Sequence, residues 1–168
     1  VLKRRIKTAK NISQIAKAME MIAASKIKRA QNMIEGHKPY AQGISEHAQS
    51  ILKSIQKDNV KHPYLRKNAQ DKRLLVVISP DKGLCGSLIT NMVRRLLEQD
   101  LKNSFVITVG RKLERTTAKF GANLIAAFSM GTSFPNYSFV FPLIEIINEY
   151  YIQKKVGVVD VLYPEFMS

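Results

Sequence analysis

The spacing of apolar positions changes once along the chain, near Arg73. Before that point the pattern is helical. No Gly or Pro occurs from Val1 to Glu35, and the stretch is rich in Ala, Ile, Lys and Met, mostly residues compatible with helix. A continuous helix there would be roughly 50 Å long. Gly36 and Pro39 are expected to interrupt it. A second helical pattern runs from Tyr40 to Lys57, with Ala41, Ile44, Ala48, Ile51, Leu52 and Ile55 on one face. Residues 58–72 are polar, carry Pro63 and read as a linker.

From Arg73 onward short apolar runs alternate with helical patterns. Leu74-Leu-Val-Val-Ile78 has the continuous β-branched character of a strand buried on both faces. A turn follows over Pro80–Gly86, then a helix over Ser87–Leu101 with Ser87 at its N-cap. A second strand is expected at Phe105–Val109, a helix at Gly110–Phe120 stopped by Gly121, and a third strand at Ala122–Phe128. Met130–Tyr137 reads as a loop and Phe139–Lys154 as a helix with an irregular start at Pro142. Val156–Tyr163 reads as a last strand. Strands alternating with helices predict an α/β fold: a mainly parallel sheet with helices on both faces.

The first helix is patterned more finely than amphipathicity requires. Ala9, Ala16, Ala23 and Ala30 recur every seven residues, beside a column of Ile12, Met19, Lys26 and Met33. Together these columns make a coiled-coil seam. Alanine in one column lets a second helix approach closely, because no large side chain separates the backbones. Ala18–Ala24 holds one polar residue, Glu20, and places Met19 and Met21 about 200° apart on the helical wheel. One partner helix cannot cover both. Methionine, unbranched and polarisable, suits adaptable or sliding contact. Periodicity alone leaves two readings open: a surface helix packed on its own sheet domain, or a helix enclosed by other chains. The modest size of the α/β module weighs against the first.

Charge sharpens this division. Of 27 Lys+Arg and 13 Asp+Glu, Val1–Arg73 holds 17 and 5, a net of +12; Leu74–Ser168 holds 10 and 8, a net of +2. A polycationic front implies an acidic partner: nucleic acid, an anionic membrane or an acidic protein surface. Apolar runs are too short to span a bilayer, and the opening segment has no apolar signal-peptide core. The expectation is a soluble protein on the cytosolic side.

Little in the back module suggests chemistry. The single cysteine, Cys85, excludes an internal disulfide framework. Asp81-Lys-Gly-Leu-Cys-Gly86 matches neither G-x-G-x-x-G nor G-x-x-x-x-G-K-[ST], so no nucleotide cofactor is expected. Cys85 near a helix start could be nucleophilic, but His37, His47 and His62 all lie in the helical front, so a small buried role is expected for it. The histidines share no metal-ligand spacing, and Asp81, Glu114 and Glu145 form no paired motif. Neither a metal nor a catalytic residue is expected.

Two segments carry a family resemblance. Ile6–Lys26 closely resembles the N-terminal helix of the gamma subunit of F-type ATP synthases, and Asp81–Gly86 resembles that family's signature turn, with Lys82 where the family usually has Arg. Lys61-His-Pro-Tyr-Leu65 is similar to a bacterial gamma linker, and Val158–Phe166 fits a strand ending in a Tyr-x-x-Phe pattern. The resemblance implies a long coiled-coil helix plus a Rossmann-like α/β domain, divided as a shaft at 1–57, a linker at 58–72 and a foot at 73–168. It implies a non-catalytic central rotor stalk, coupling proton-driven ring rotation to ATP synthesis or hydrolysis in an alpha/beta head. Further partners would be the epsilon subunit and the c-ring, with the chain held peripherally on the cytoplasmic face of the bacterial inner membrane.

Residue by residue, Lys17, Met19, Glu20 and Met21 match the segment facing the moving ends of beta, and Lys26, Lys28 and Arg29 continue the basic face toward an acidic loop there. Ala9, Ile12, Ala16, Met19, Ala23, Ala30 and Met33 would form the seam, and Asp81, Lys82, Gly83, Leu84, Cys85 and Gly86 the turn that folds the foot and meets its neighbours. The family's C-terminal helix is absent after Ser168, so a piece of a longer reading frame is expected. Two rival classes are a basic nucleic-acid-binding module, which lacks interleaved aromatics for base stacking, and a dinucleotide enzyme, which lacks the glycine fingerprint.

Overall fold

The computed structural model describes residues 2–55, 62–66, 68–131 and 137–165. The chain divides into two compact units, Val1–Asn59 and Val60–Ser168.

The first unit is one helix, α1, Leu2–Ser54, of 53 residues, roughly 80 Å long. The expected interruption does not occur: Gly36 and Pro39 both lie inside α1. Proline removes one intrahelical hydrogen bond and crowds the preceding turn, at a cost of about 3 kcal/mol. Two features outweigh that penalty. Glu35–Gly43 contains no Ser, Thr, Asp or Asn, so the short side-chain oxygens that best cap a new helix are missing there. The apolar stripe also keeps its phase across the segment, since Met19, Ala30, Ala41 and Leu52 recur every eleven residues, as do Ile12, Ala23 and Ile34. Eleven residues turn through about three full revolutions, so a straight helix holds these side chains on one face. The expected helix end at Lys57 lies outside the described residues.

The second unit is built on a four-stranded sheet of order β3-β2-β1-β4: β1 Arg73–Ile78, β2 Ser104–Val109, β3 Asn123–Phe128 and β4 Val158–Leu162. All three pairings are parallel, in register from Arg73 opposite Ser104 and from Arg73 opposite Val158. Ile125 is the extra residue where β3 slips against β2, between Val106 and Ile107. Parallel neighbours require crossovers, supplied by helices α2 Leu88–Leu97, α3 Arg111–Lys119 and α4 Val140–Ile152.

Alternation along the strands sorts the core into two layers. Leu75, Val77 and Val106 pack with Met92 and Leu96 of α2 and Leu113 of α3. Leu74, Val76, Ile107 and Val109 face the other way and meet Leu143, Ile146, Ile147, Tyr150 and Tyr151 of α4. The result is the expected three-layer α/β arrangement. β1, central and covered on both faces, buries Leu74–Val77 completely or nearly so, as its uninterrupted apolar run requires.

Several boundaries differ from expectation. α2 stops at Leu97, and Leu101 instead begins a 3-10 turn, Leu101–Asn103, whose Asn103 amide donates to the Asp100 carboxylate at 3.3 Å. Burial of Leu101 in the core draws the chain out of the helix. Ser87 occupies the N-cap of α2, but its side chain makes no capping hydrogen bond. Pro142 falls in the first turn of α4, where the missing N–H would be unpaired anyway. β4 begins at Val158 rather than Val156; Val156 is buried, and the Gly157 amide donates to the Lys72 carbonyl at 2.8 Å. Within the expected linker, Pro63–Leu65 forms a 3-10 turn packed on α4. Part of the linker and most of the Met130–Tyr137 loop lie outside the described residues.

Two glycines separate backbone strain from close approach. Gly110, between β2 and α3, has φ +107°, and a Cβ there would stand 1.8 Å from the Ser79 carbonyl oxygen. Gly121, after α3, has φ +72° but open space around it. Gly110→Ala is expected to cost more than about 3 kcal/mol and Gly121→Ala about 1–2 kcal/mol. Urea unfolding of both variants checks this; equal losses would show that φ alone, not the Ser79 contact, governs position 110.

Candidate functional site

Two surfaces carry the residues singled out by sequence: the flank of α1 and the turn after β1. On α1, Lys17, Met19, Glu20, Met21, Lys26, Lys28 and Arg29 are all exposed. Met19 is 53% and Met21 64% exposed. The seam residues Ala9, Ile12, Ala16, Met19, Ala23 and Met33 are exposed as well, and Ala30 is half-buried. No described residue of α1 is buried.

Apolar exposure extends beyond the seven-residue columns. Ile15, Ile22, Ile27 and Ile34 are exposed beside them, and Ile44, Ile51 and Leu52 continue the stripe toward the helix end. The seven-residue columns leave out Ile15, Ile22, Ile27 and Ile34; Ile44, Ile51 and Leu52 belong to the face expected for Tyr40–Lys57, and the eleven-residue spacing joins Ile34 and Leu52 to one stripe. The stripe is broad, and Met21 stands away from it. A helix apolar on more than one side must be covered by protein or remain in water at a cost. Its cationic side chains lie among these positions, and no carboxylate precedes Glu20. The surface is therefore an apolar stripe edged with positive charge, suited to protein contact and carrying no reactive constellation.

The turn after β1 is organised by one carboxylate. Asp81 Oδ1 accepts from the Arg111 backbone N–H at 2.8 Å, and Oδ2 accepts from the Ser129 hydroxyl at 3.2 Å. Beside it, the Ser79 hydroxyl donates to the Gly110 carbonyl at 3.2 Å and accepts from the Leu113 N–H at 3.4 Å. Asp81 and Ser79 thus tie the outgoing end of β1 to the start of α3 and, through Ser129, to the end of β3. An anionic acceptor at the first turn of α3 also suits the helix dipole.

The other turn residues divide by exposure. Leu84 has φ +63° and is 95% exposed. Gly86 also has positive φ, +57°. Lys82 and Gly83 are exposed, with the Lys112 ammonium beside Gly83. Cys85 is a free thiol, half-buried rather than fully buried as expected, and its carbonyl accepts from the Leu88 N–H at 3.2 Å. The exposed turn leaves it beside solvent on one side. Ser129, the second partner of Asp81, went unnoticed in the sequence because it lies 48 positions away in a segment with no motif.

Among the described residues no group of three or more His, Cys, Asp or Glu could hold a metal ion. His37 and His47 are exposed on α1, and His62 stacks on Tyr64. No helix of the described residues is long and apolar enough to cross a membrane.

An α/β unit joined in sequence to a long helix that buries none of its described side chains defines a class of protein by its fold: a sheet domain carrying an exposed apolar helix. Comparison with known proteins narrows that class. A family model described as ATP synthase matches residues 1–168, and the chain belongs to that family. The relatives it resembles are gamma chains. That of Clostridium novyi is 33% identical over 170 residues, covering 99% of this chain and 59% of the relative. That of Dehalococcoides mccartyi is 32% identical over 172 residues, covering 100% and 60%. The chain therefore spans about three-fifths of the length of these relatives. Among solved structures, one described as the rotor of the Euglena gracilis mitochondrial ATP synthase is similar, at 20% identity and a TM-score of 0.46, covering 86% of this chain and 59% of that one.

Replacing Asp81 tests the turn. Asp81→Ala removes two hydrogen bonds to a charged acceptor and is expected to cost about 1.5–3 kcal/mol. Leu84→Ala should stay within about 0.5 kcal/mol of wild type, because the side chain touches little. Thermal unfolding of both variants checks the pair; a larger loss at Leu84 than at Asp81 would overturn this account.

Proposed function

We propose that the chain is part of the central rotor stalk of an F-type ATP synthase. The shaft would span 1–57, the linker 58–72 and the foot 73–168. The observation that carries this reading is α1: an uninterrupted helix with large apolar side chains exposed along its described length, in a chain whose curated relatives are gamma chains. Such a helix is stable when other chains enclose it.

In this reading Ala9, Ile12, Ala16, Met19, Ala23, Ala30 and Met33 receive a second helix. Met19 and Met21, with Lys17 and Glu20, face the alpha/beta head, and Lys26, Lys28 and Arg29 meet acidic side chains there. Exposed charge pairs are individually weak, so the basic flank steers and slides rather than anchors. The chain performs no bond chemistry. As an asymmetric shaft turns, each catalytic subunit meets a different side of it and is biased toward a different conformation. The foot, including Asp81–Gly86, would meet the epsilon subunit and the c-ring, holding the chain peripherally at the cytoplasmic face of the bacterial inner membrane.

The nucleic-acid alternative, which rested on the basic front, gains no support: the matching family and relatives are ATP synthase components. Reconstitution into a complete F-type synthase in sealed membrane vesicles tests the proposal. The wild-type sequence, carried in a full-length gamma chain, should restore ATP-driven proton pumping. Met19→Lys, which puts a charge into the seam, should lower protons pumped per ATP hydrolysed while assembly persists. Unchanged coupling would remove Met19 from the contact. Failure of the wild-type chain to associate, together with tight RNA binding, would overturn the rotor reading.

A further inference from the structure

The segment entering the α/β unit is held by a set of contacts that its polar composition did not suggest. The Tyr64 ring stacks on Tyr151 of α4, with centroids 5.6 Å apart and planes 16° apart, and His62 stacks on Tyr64 at 5.6 Å. The Tyr64 hydroxyl donates to the Asn148 side-chain carbonyl, one turn earlier on α4. The Tyr151 hydroxyl returns a bond to the Arg66 carbonyl at 3.3 Å. Asn68 Nδ2 donates to the carbonyls of Tyr151 at 2.9 Å and Val156 at 3.1 Å. These two carbonyls bracket the turn between α4 and β4, so Asn68 grips the end of the helix and the approach to the strand together. Locally, the Leu65 and Arg66 amides donate to the carbonyls of His62 and Pro63 at 3.0 and 3.3 Å and close the 3-10 turn.

A segment serving only as a tether needs none of this, and ordering it costs conformational entropy. Offset ring stacking and side-chain bonds to backbone carbonyls repay that cost only where the position of the segment matters. The contacts fall on α4, whose Leu143, Ile146, Ile147, Tyr150 and Tyr151 pack on the sheet. A force arriving along the chain at His62 therefore reaches the sheet through α4 and, through the Val156 carbonyl, β4.

We propose that His62, Tyr64 and Asn68, seated on Asn148 and Tyr151, form a rigid joint that fixes the entering chain to the α/β unit and carries torque into it. The torque role rests on the rotor reading above; the rigidity does not. Tyr64 and Asn68 are positioning residues: they touch no reacting group and act by holding the backbone.

Hydrogen exchange on the chain itself tests rigidity. In Tyr64→Ala the Leu65 and Arg66 amides should exchange about tenfold faster, the effect of losing a ring pair and a hydrogen bond together, while amides of β1 and β2 keep wild-type protection. Asn68→Ala should show the same pattern, and Tyr64→Phe, which keeps the stack, should recover most of the protection. Unchanged exchange at Leu65 and Arg66 in both alanine variants overturns the joint. In the assembled synthase, Tyr64→Ala should lower protons pumped per ATP hydrolysed and Tyr64→Phe should restore them. Faster exchange with unchanged pumping overturns the torque role. Failure of the wild-type chain to assemble overturns the rotor reading, and the torque role with it, while the exchange result stands separately.

Discussion

The described structure depends most on an unmet demand for burial along α1. A helix of 53 residues satisfies its backbone internally, but helices in water owe most of their stability to packing of an apolar face. Here Ile12, Ile15, Met19, Ile22, Ile27 and Ile34 remain exposed. At about 25 cal/mol per Å² of apolar surface, leaving so many large side chains in water forgoes several kcal/mol. Any protein surface that covered this stripe would recover part of that free energy. In the rotor proposal, the alanine columns within the stripe would set how closely a partner backbone can come.

The α/β unit follows the opposite logic. Its two central strands are nearly saturated by their own helices, β1 on both faces and β2 almost so, whereas the outer strands β3 and β4 bury no residue fully. A parallel sheet leaves its functional edge where strands run out into turns, and in many enzymes that edge binds a ligand. Here Asp81 and Ser79 spend their hydrogen-bonding capacity on backbone and on Ser129 instead. The position that commonly hosts chemistry serves as a clasp between β1, α3 and β3. Leu84 is held outside it in a left-handed conformation, and Lys82 and Lys112 supply the nearby charge.

Much of this was legible in residue order. The switch from helical to alternating texture near Arg73, the burial of Leu74–Ile78 and the three crossover helices follow from periodicity, which reports directly on which faces are wet. Gly36 and Pro39 misled because local propensity counts the cost at two residues, whereas helix continuity depends on phase over the flanking turns and on the lack of a cap for a new start. The contacts of Tyr64 and Asn68 were not legible for a related reason. Their side chains bond to Asn148 and Tyr151 of α4 and to the Val156 carbonyl beyond it, more than 80 positions away, and composition cannot reveal a partner so distant. Ser129 escaped notice in the same way.

By itself the sequence determined the class of each half. Heptad alanines, paired methionines and a net charge of +12 before residue 74 specify a basic helix with an exposed apolar stripe, and the β-branched runs specify a covered parallel sheet. These are properties of single elements, and the period of one element encodes which sides it must bury. Tertiary structure alone decided that α1 runs through Pro39, that Asp81 closes a three-element clasp, and that Tyr64 and Asn68 bind the entering chain to α4. Each of those depends on free energy summed over distant segments, and no local pattern carries that sum.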